Sequence, residues 1–335
     1  MKKTTIKTIA EQLGVSKNSV AKALHGMPGV SDELRNKVNS LADELGYAVK
    51  TGKYPAPVNV SVIHHRIITD ERYFWPVVLS GIWECAAENN VSLQSIIVEE
   101  NGGSYPGLFQ KVAMSSGIIV IGDVPDILLT TVKSFNIPFI VVDHYSNLVD
   151  CDYLNSANEN GIFKAVNYLA QHNHKKIGYI NNGFHTYSYT KRNESFRTSM
   201  EDLGLPVDER FVWTDTRFCD LEYYRKKMPM LESCENRPTA WVCGNDATAS
   251  DFYCVLIEHG FKIPDDFSII GFDNNSMIYT QFLTTMEIPR KSMGKYAVNR
   301  LLYRIQNPGE PYLDIFFNTN MIERNSVKKI KQLIK

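Results

Sequence analysis

The 335-residue chain lacks the signatures of most enzyme classes. No Walker P-loop and no G-x-G-x-x-G opens a helix, so nothing is there to cradle the phosphates of a nucleotide or dinucleotide. No G-x-S-x-G is present, which removes the nucleophile elbow of the α/β hydrolases. The cysteines are Cys85, Cys151, Cys219, Cys234, Cys243 and Cys254; no two have C-x-x-C spacing and none stands with histidine at zinc spacing. They read as reduced, mostly buried thiols of a cytoplasmic protein. His64-His65 and His172-x-His174 have no acidic partners at ligand spacing, so neither a metal site nor any cofactor is expected. The opening Met-Lys-Lys-Thr-Thr-Ile-Lys has no apolar core behind its lysines, unlike a signal peptide. The longest apolar runs, such as Gly117–Gly122, are strand-sized, so no membrane partner is expected.

What is present is an ordinary globular composition with an uneven charge. Apolar residues make up 44% and charged residues 22%, enough for full cores and, at this length, for two or three domains. The net charge is −1, yet residues 1–53 hold nine basic and five acidic residues, leaving the rest acidic. A basic head on an acidic body points the head toward an anion such as nucleic acid, although scattered surface charge gives the same count.

The head carries helical periodicity. Ile6, Ile9, Ala10 and Leu13 recur at helix spacing, and Gly14-Val15 breaks the run. Ser16 is a good N-cap for a second helix that buries Val20, Ala23 and Leu24 and leaves Lys17, Asn18, Ser19 and Lys22 outward. A third helix from Ser31 carries Leu34, Val38, Leu41, Ala42 and Leu45, with Gly46 at its end. Two short helices joined by a glycine turn, then a third, make a helix-turn-helix. The thin polar face of the second helix suits a major groove: Asn18 can pair with adenine, and Lys17 or Lys22 can donate to guanine or phosphate. A three-helix cap with a solvated face is the alternative.

After Pro57, apolar strand-like runs alternate with helical patterns: V-N-V-S-V-I-H, S-L-Q-S-I-I-V, G-I-I-V-I-G, I-P-F-I-V-V-D, K-I-G-Y-I-N, T-A-W-V-C-G and F-S-I-I-G-F-D. Such runs predict parallel sheets covered on both faces, and eight or so units are too many for one sheet, so two lobes are expected. Ligands sit at the carboxyl ends of parallel strands, which draws attention to Asp143, Asn245-Asp246 and Asp273, with Arg192 on a nearby helix. Carboxylates and amides facing an arginine make a pocket for hydroxyls. Each of the strand-end residues can equally cap the helix that follows it.

These residues also carry a resemblance. I-K-T-I-A-E-Q-L-G-V-S-K-N-S-V-A-K-A-L, V-S-D-E-L-R-N-K-V and L-G-Y across Thr5–Tyr47 resemble the DNA-binding head of the lactose/galactose repressor (LacI/GalR) family. The body resembles the family's sensor domain at R-P-T-A-W-V-C-G-N-D, K-I-P-D-D-F-S-I-I-G-F-D-N-N, L-T-T, I-E-R-N-S, Arg192-x-x-x-Phe196 and His174-Lys-Lys-Ile-Gly. The resemblance implies an α/β protein: an N-terminal all-α helix-turn-helix domain, then a two-lobed, periplasmic-binding-protein-like, doubly wound α/β sensor. The implied boundaries are 1–47 for the head, 48–57 for a linker and 58–335 for the effector-binding and dimerisation domain. It further implies DNA contacts from Thr5, Ser16, Lys17, Asn18, Ser19, Lys22 and Lys50. Effector contacts are implied at Arg192, Asn245 and Asp273, with Asp143 from the strand-end reading, Phe218 near a usual aromatic platform, and Tyr73-Phe74 matching a ring-stacking segment of some members. Departures are Ala21 in place of a hydroxyl residue, Lys22 in place of arginine, Ser195 in place of glycine and Ala157 in place of aspartate. The linker departs most: A-V-K-T-G-K-Y-P-A-P has Gly52, Pro55 and Pro57 and no leucine wedge, so an extended segment is expected in place of a hinge helix.

The function so implied is a cytoplasmic, ligand-responsive transcriptional regulator, by family habit a repressor of carbohydrate use. It would bind a near-palindromic double-stranded operator as a homodimer, and its effector would be a sugar or polyol before a nucleoside. The competing classes are a transport-type binding protein and a sugar or nucleoside enzyme on the same fold; the second would need a general base and phosphate loop that the sequence does not offer.

Overall fold

The structure, a computed structural model, describes residues 5–24, 29–45, 47, 57–65, 73–99, 104–184, 186–217, 219–275 and 281–331. The linker segment 48–56, Gly46, Lys50 and Phe218 lie outside the described residues.

Three short helices build the head: α1 (Ile6–Leu13), α2 (Lys17–Leu24) and α3 (Asp32–Glu44). Each begins on a hydroxyl that takes up an otherwise orphaned amide. The Thr8, Ser19 and Leu34 amides donate to Thr5 Oγ1 (3.3 Å), Ser16 Oγ (3.0 Å) and Ser31 Oγ (3.3 Å). Gly14 ends α1 in the left-handed region at φ 63°, where a side chain would be strained. Ile9, Ala10, Val20, Ala23, Leu24, Val38 and Ala42 form the core between the helices.

The body contains two six-stranded sheets. The first takes β1 (Val58–His65), β2 (Val91–Val98), β3 (Gly117–Ile121), β4 (Phe139–Val142), β5 (Asp152–Ser156) and β11 (Asp314–Phe317), ordered β11-β5-β4-β3-β1-β2. The second takes β6 (Ile177–Asn182), β7 (Val212–Thr216), β8 (Ala240–Cys243), β9 (Ser268–Asp273), β10 (Thr284–Glu287) and β12 (Asn320–Ile322), ordered β12-β10-β9-β8-β6-β7. Core pairings such as β1–β3, β3–β4, β6–β8 and β8–β9 are parallel, while β12 runs antiparallel to β10. The intervening helices are α4 (Trp75–Glu88), α5 (Leu108–Val112), α6 (Asp126–Ser134), α7 (Asn158–Gln171), α8 (Tyr187–Asp202), α9 (Leu221–Ser233), α10 (Asp246–Glu258) and α11 (Arg290–Gln306). The chain changes sheets three times: between β5 and α7, between β10 and α11, and between β11 and β12.

Among the described residues twelve strands replace the eight or so units expected, because five have no long apolar run to betray them. β5 reads D-Y-L-N-S and β7 reads V-W-T-D-T, whereas β10, β11 and β12 are only three or four residues long. β5 is fully buried despite its polar residues, and the charge on it, Asp152, is fully paired. Asp152 accepts from Arg300 (2.7 Å), from Arg304 (2.9 and 3.1 Å) and from the Leu313 amide (2.9 Å). This ties α11 and the approach to β11 onto β5. Burial alone would raise the Asp152 pKa, but the Arg304 and Arg300 hydrogen bonds outweigh it and hold the carboxyl below its usual range.

Close helix packing sets α4 against α11. A Cβ on Gly294 would stand 2.0 Å from the Val78 carbonyl oxygen, and one on Gly81 would stand 2.1 Å from that of Lys291. The thiols are all free; Cys85, Cys151 and Cys243 are buried, Cys234 and Cys254 half-buried and Cys219 exposed, so half are buried where most were expected to be. Among the described residues no helix is long and apolar enough to cross a membrane.

Replacing Asp152 with alanine strands two guanidinium groups in the interior, and the body should lose about 3–5 kcal/mol in urea unfolding. Because the folded pKa is depressed, the Asp152 contribution is fully present above the ordinary carboxylate range and is lost as pH falls below it. The difference between wild type and Asp152→Ala should therefore shrink in acid; a constant difference would contradict the pairing.

Candidate functional site

In the head, α2 presents Lys17 and Asn18 fully exposed, with Ser19 and Lys22 half-buried. No acidic residue stands in its first turn, so its N-terminus keeps the positive end of the helix dipole unopposed. Ser16 Oγ caps the helix and lies 2.9 Å from Ser19 Oγ, and Thr5 Oγ1 caps α1. Both hydroxyls thus position helices as well as facing outward. Lys50 lies outside the described residues.

In the body, the first five strands of each sheet follow the order 2-1-3-4-5 of open doubly wound folds. The order reverses between β1 and β3 and between β6 and β8, and the crevice at such a reversal, beyond the strand carboxyl ends, is where these folds bind ligands. Asp143 follows β4, Asn245 follows β8 and Asp273 ends β9.

Asp143 and Asp273 are joined by a relay of hydrogen bonds and one ion pair. Ser188 Oγ donates to Asp143 Oδ1 at 2.5 Å and accepts from Asn158 Nδ2 at 3.2 Å. Asn158 Oδ1 accepts from Arg192 Nε at 2.8 Å. The Arg192 guanidinium donates to the Gly244 carbonyl at 2.6 Å, faces Asp273 Oδ1 at 3.3 Å and lies over the Phe272 ring at 3.9 Å. Arg192 is only 3% exposed, so its charge is balanced within the protein. Asp273 at φ 102° and Asn274 at φ 51° form a left-handed turn. That turn is held by Asp246, which accepts from the Asn275 amide (2.7 Å) and Thr285 Oγ1 (2.6 Å). Burial, reinforced by nearby Asp273, pushes Asp246 up to about 7, and burial pushes Asp143 up to about 6 against the pull of Ser188 and Arg192.

Asn245 fulfils the capping alternative. Its Oδ1 accepts from the Thr248 amide at 2.7 Å, and its Nδ2 donates to Tyr189 Oη at 3.0 Å. Tyr73 is exposed and Phe74 half-buried, ahead of α4. Arg290 donates to the Tyr73 carbonyl at 2.6 Å and stands 5.9 Å from the Phe74 ring centre. Across the strand ends of the first sheet, His144 Nδ1 lies 3.2 Å from Asp123 Oδ1, while Asn155 Nδ2 donates to the His144 carbonyl. Among the described residues, His144 Nε2 and Asn155 Oδ1 are buried without a partner, as expected of atoms that face a ligand or water. Phe218 lies outside the described residues. His174 is committed elsewhere, to Thr239 Oγ1 and the Lys328 carbonyl, and His172 to the Tyr168 carbonyl. No group of three metal-ligating side chains occurs among the described residues.

The sequence reading missed Asn158, Ser188 and Arg290; Asp246 was singled out beside Asn245 at the end of its strand, and Tyr189 was read only as part of an aromatic stretch. Asn158 stands beside the Ala157 noted as a departure, and that adjacency was a signal. Ser188 and Arg290 had none, since their partners are remote in the chain.

Comparison with known proteins places this geometry. Residues 5–49 match the bacterial regulatory proteins of the lacI family, and residues 166–327 match the periplasmic binding protein-like domain. The chain belongs to the lacI family. It is a DNA-binding transcriptional regulator, not an enzyme. It is 27% identical over 336 residues to the HTH-type transcriptional repressor PurR of Vibrio parahaemolyticus, covering 97% of this chain and 99% of that protein. Its fold is similar to that of the Lac repressor dimer bound to operator and the anti-inducer ONPF, with TM-score 0.70, 20% identity and coverage of 98% and 100%. It is also similar to a LacI family regulator from Enterococcus faecium with bound ribose, with TM-score 0.67, 23% identity and coverage of 82% and 100%.

Two outcomes follow. Asn18→Ala should cost about 1–3 kcal/mol on the preferred DNA site and little on random DNA, read by fluorescence anisotropy; equal losses on both would make Asn18 a backbone contact. For Asp143 the folded pKa is raised, so its ionised form destabilises the body above about pH 6 and that penalty fades as pH falls toward 4. Asp143→Asn should raise the melting temperature at pH 8 and leave it little changed at pH 4; a gain at both would contradict the burial argument.

Proposed function

We propose that the chain is a ligand-responsive transcriptional repressor that reads operator DNA through α2 and binds an uncharged, hydroxyl-rich effector at the Asp143–Asp273 relay. The observation that carries the effector class is the balance of charge. Arg192, the buried cation at the relay, already faces Asp273 and donates to Asn158 and Gly244. Asp143 adds a carboxylate at the other end of the relay. A phosphorylated or carboxylated ligand would have to displace Asp273 from Arg192 to gain that cation, whereas sugar hydroxyls donate to carboxylates and accept from the guanidinium. A ribose-bound relative of the same fold is consistent with this class. The rings of Tyr73 and Phe74 favour a second reading, a nucleoside, whose base would add a face to stack.

In this reading Lys17 and Asn18 touch base edges, Thr5, Ser16, Ser19, Lys22 and Lys50 position the head on phosphates, and Phe218 joins Phe74 as an apolar wall. The domains are 1–47, 48–57 and 58–335. The body pairs two copies so that two heads read a near-palindrome in the cytoplasm. The linker stays extended, so the effector acts by respacing the heads.

A melting-temperature screen of neutral pentoses, hexoses and nucleosides beside their phosphates tests the proposal. Stabilisation by a neutral compound but not its phosphate, and loss of that stabilisation in Asp273→Asn, is expected; preference for the phosphate would overturn the effector class. A gel shift on DNA upstream of the chain's own gene, with and without the stabilising compound, tests the regulation.

A further inference from the structure

The sequence singles out the Tyr73-Phe74 pair as a wall of the site, but a segment ahead of a helix needs something to hold it there. The structure supplies one candidate. Arg290 begins α11, where the chain leaves β10 of the second sheet for a helix that packs on β3 and β4 of the first. Its guanidinium has bonds on both sides of that crossing. Toward the first sheet, it donates to the Tyr73 carbonyl at 2.6 Å and lies 5.9 Å from the Phe74 ring. Toward the second sheet, it donates to Asn275 Oδ1 at 2.7 Å and to the Asn274 carbonyl at 2.9 Å. Asn274 and Asn275 belong to the turn that places Asp273 against Arg192.

We propose that Arg290 is a positioning residue that couples the two lobes at the effector site, clamping the Tyr73–Phe74 wall to the Asp273–Asn275 turn. Only a planar fork of several N–H groups reaches these acceptors at once; a lysine at the same place has a single ammonium and satisfies fewer of them. Movement of the turn, as when a ligand draws Asp273 away from Arg192, is then transmitted to Tyr73 by a rigid group. The aromatic wall and the acidic turn move as one body, and the chain crossing at Ile288-Pro289 moves with them. Asp246 sets the other side of the turn, through the Asn275 amide, while the Asn275 side chain accepts from Arg290. The coupling stands on these contacts without reference to which effector binds.

Hydrogen–deuterium exchange on the full chain tests it without any ligand. In Arg290→Met, which keeps the apolar stem and removes the donors, amides of residues 73–77 and of 274–275 should both exchange at least about tenfold faster, while the interior of α11, residues 293–302, stays protected. Arg290→Lys should fall between Met and wild type. The decisive variant is Asn275→Ala, which removes a side-chain acceptor of Arg290 on the second-sheet side: residues 73–77, on the first-sheet side, should still exchange faster. An unchanged 73–77 segment in Asn275→Ala overturns the coupling, as does fraying of α11 along its whole length in Arg290→Met, which would make Arg290 a helix-end residue only. A failed ligand screen would leave these exchange results untouched, so the two readings fail separately.

Discussion

The buried cation of Arg192 is the constraint around which the body's site is built. A guanidinium with 3% exposure has to be matched on every side, and five groups do so: the Asp273 carboxylate, the Asn158 amide, the Gly244 carbonyl and the faces of Phe272 and Tyr189. They come from four places in the chain. Asn158 begins the helix after the first sheet change, Gly244 follows β8, Phe272-Asp273 end β9 and Tyr189 stands one turn before Arg192 on α8. Removing one partner from such a group costs more than the pair contributes, because the charge left behind is desolvated. The site is therefore rigid where it is charged, and the left-handed turn at Asp273 is retained against its backbone strain.

The same relay gives the site a way to respond. It ends at Asp143, across from Ser188, and Asp143 belongs to the first sheet while Ser188 belongs to a helix of the second. In the function proposed above, a ligand whose hydroxyls satisfy Asp143 and Asp273 competes with Ser188 and Arg192 for those carboxylates. It exchanges protein–protein bonds between lobes for protein–ligand bonds, so its binding energy differs between lobe arrangements. Differential affinity of this kind is what a ligand-controlled regulator of the lacI family requires.

Much of this was legible in the sequence. The head was readable because each helix starts on a hydroxyl, Thr5, Ser16 or Ser31, and buries a regular apolar stripe. β3, β4, β8 and β9 were readable as unbroken apolar runs. β5 was not, since Asp152 and Asn155 are buried only by virtue of arginines and a carbonyl supplied from elsewhere. Asp143, Asp273 and Arg192 were found by the strand-end rule, and the structure brings them into one relay. The same rule could not separate Asn245 the cap from Asn245 the ligand contact, because an amide beyond a strand serves either role. Ser188 and Arg290 were invisible because hydrogen bonds between residues remote in the chain leave no local pattern, and Asn158 was marked only by its neighbour Ala157.

The most direct measurement is a double-mutant cycle between Arg192 and Asp273, following urea unfolding of the body in Arg192→Met, Asp273→Asn and the double variant. If the buried pair organises the site, each single change should destabilise strongly and the two should couple by about 1–3 kcal/mol, the double variant losing far less than the sum. Losses that add within about 0.3–0.5 kcal/mol, as for independent sites, would show that Arg192 and Asp273 are held separately and would contradict the account.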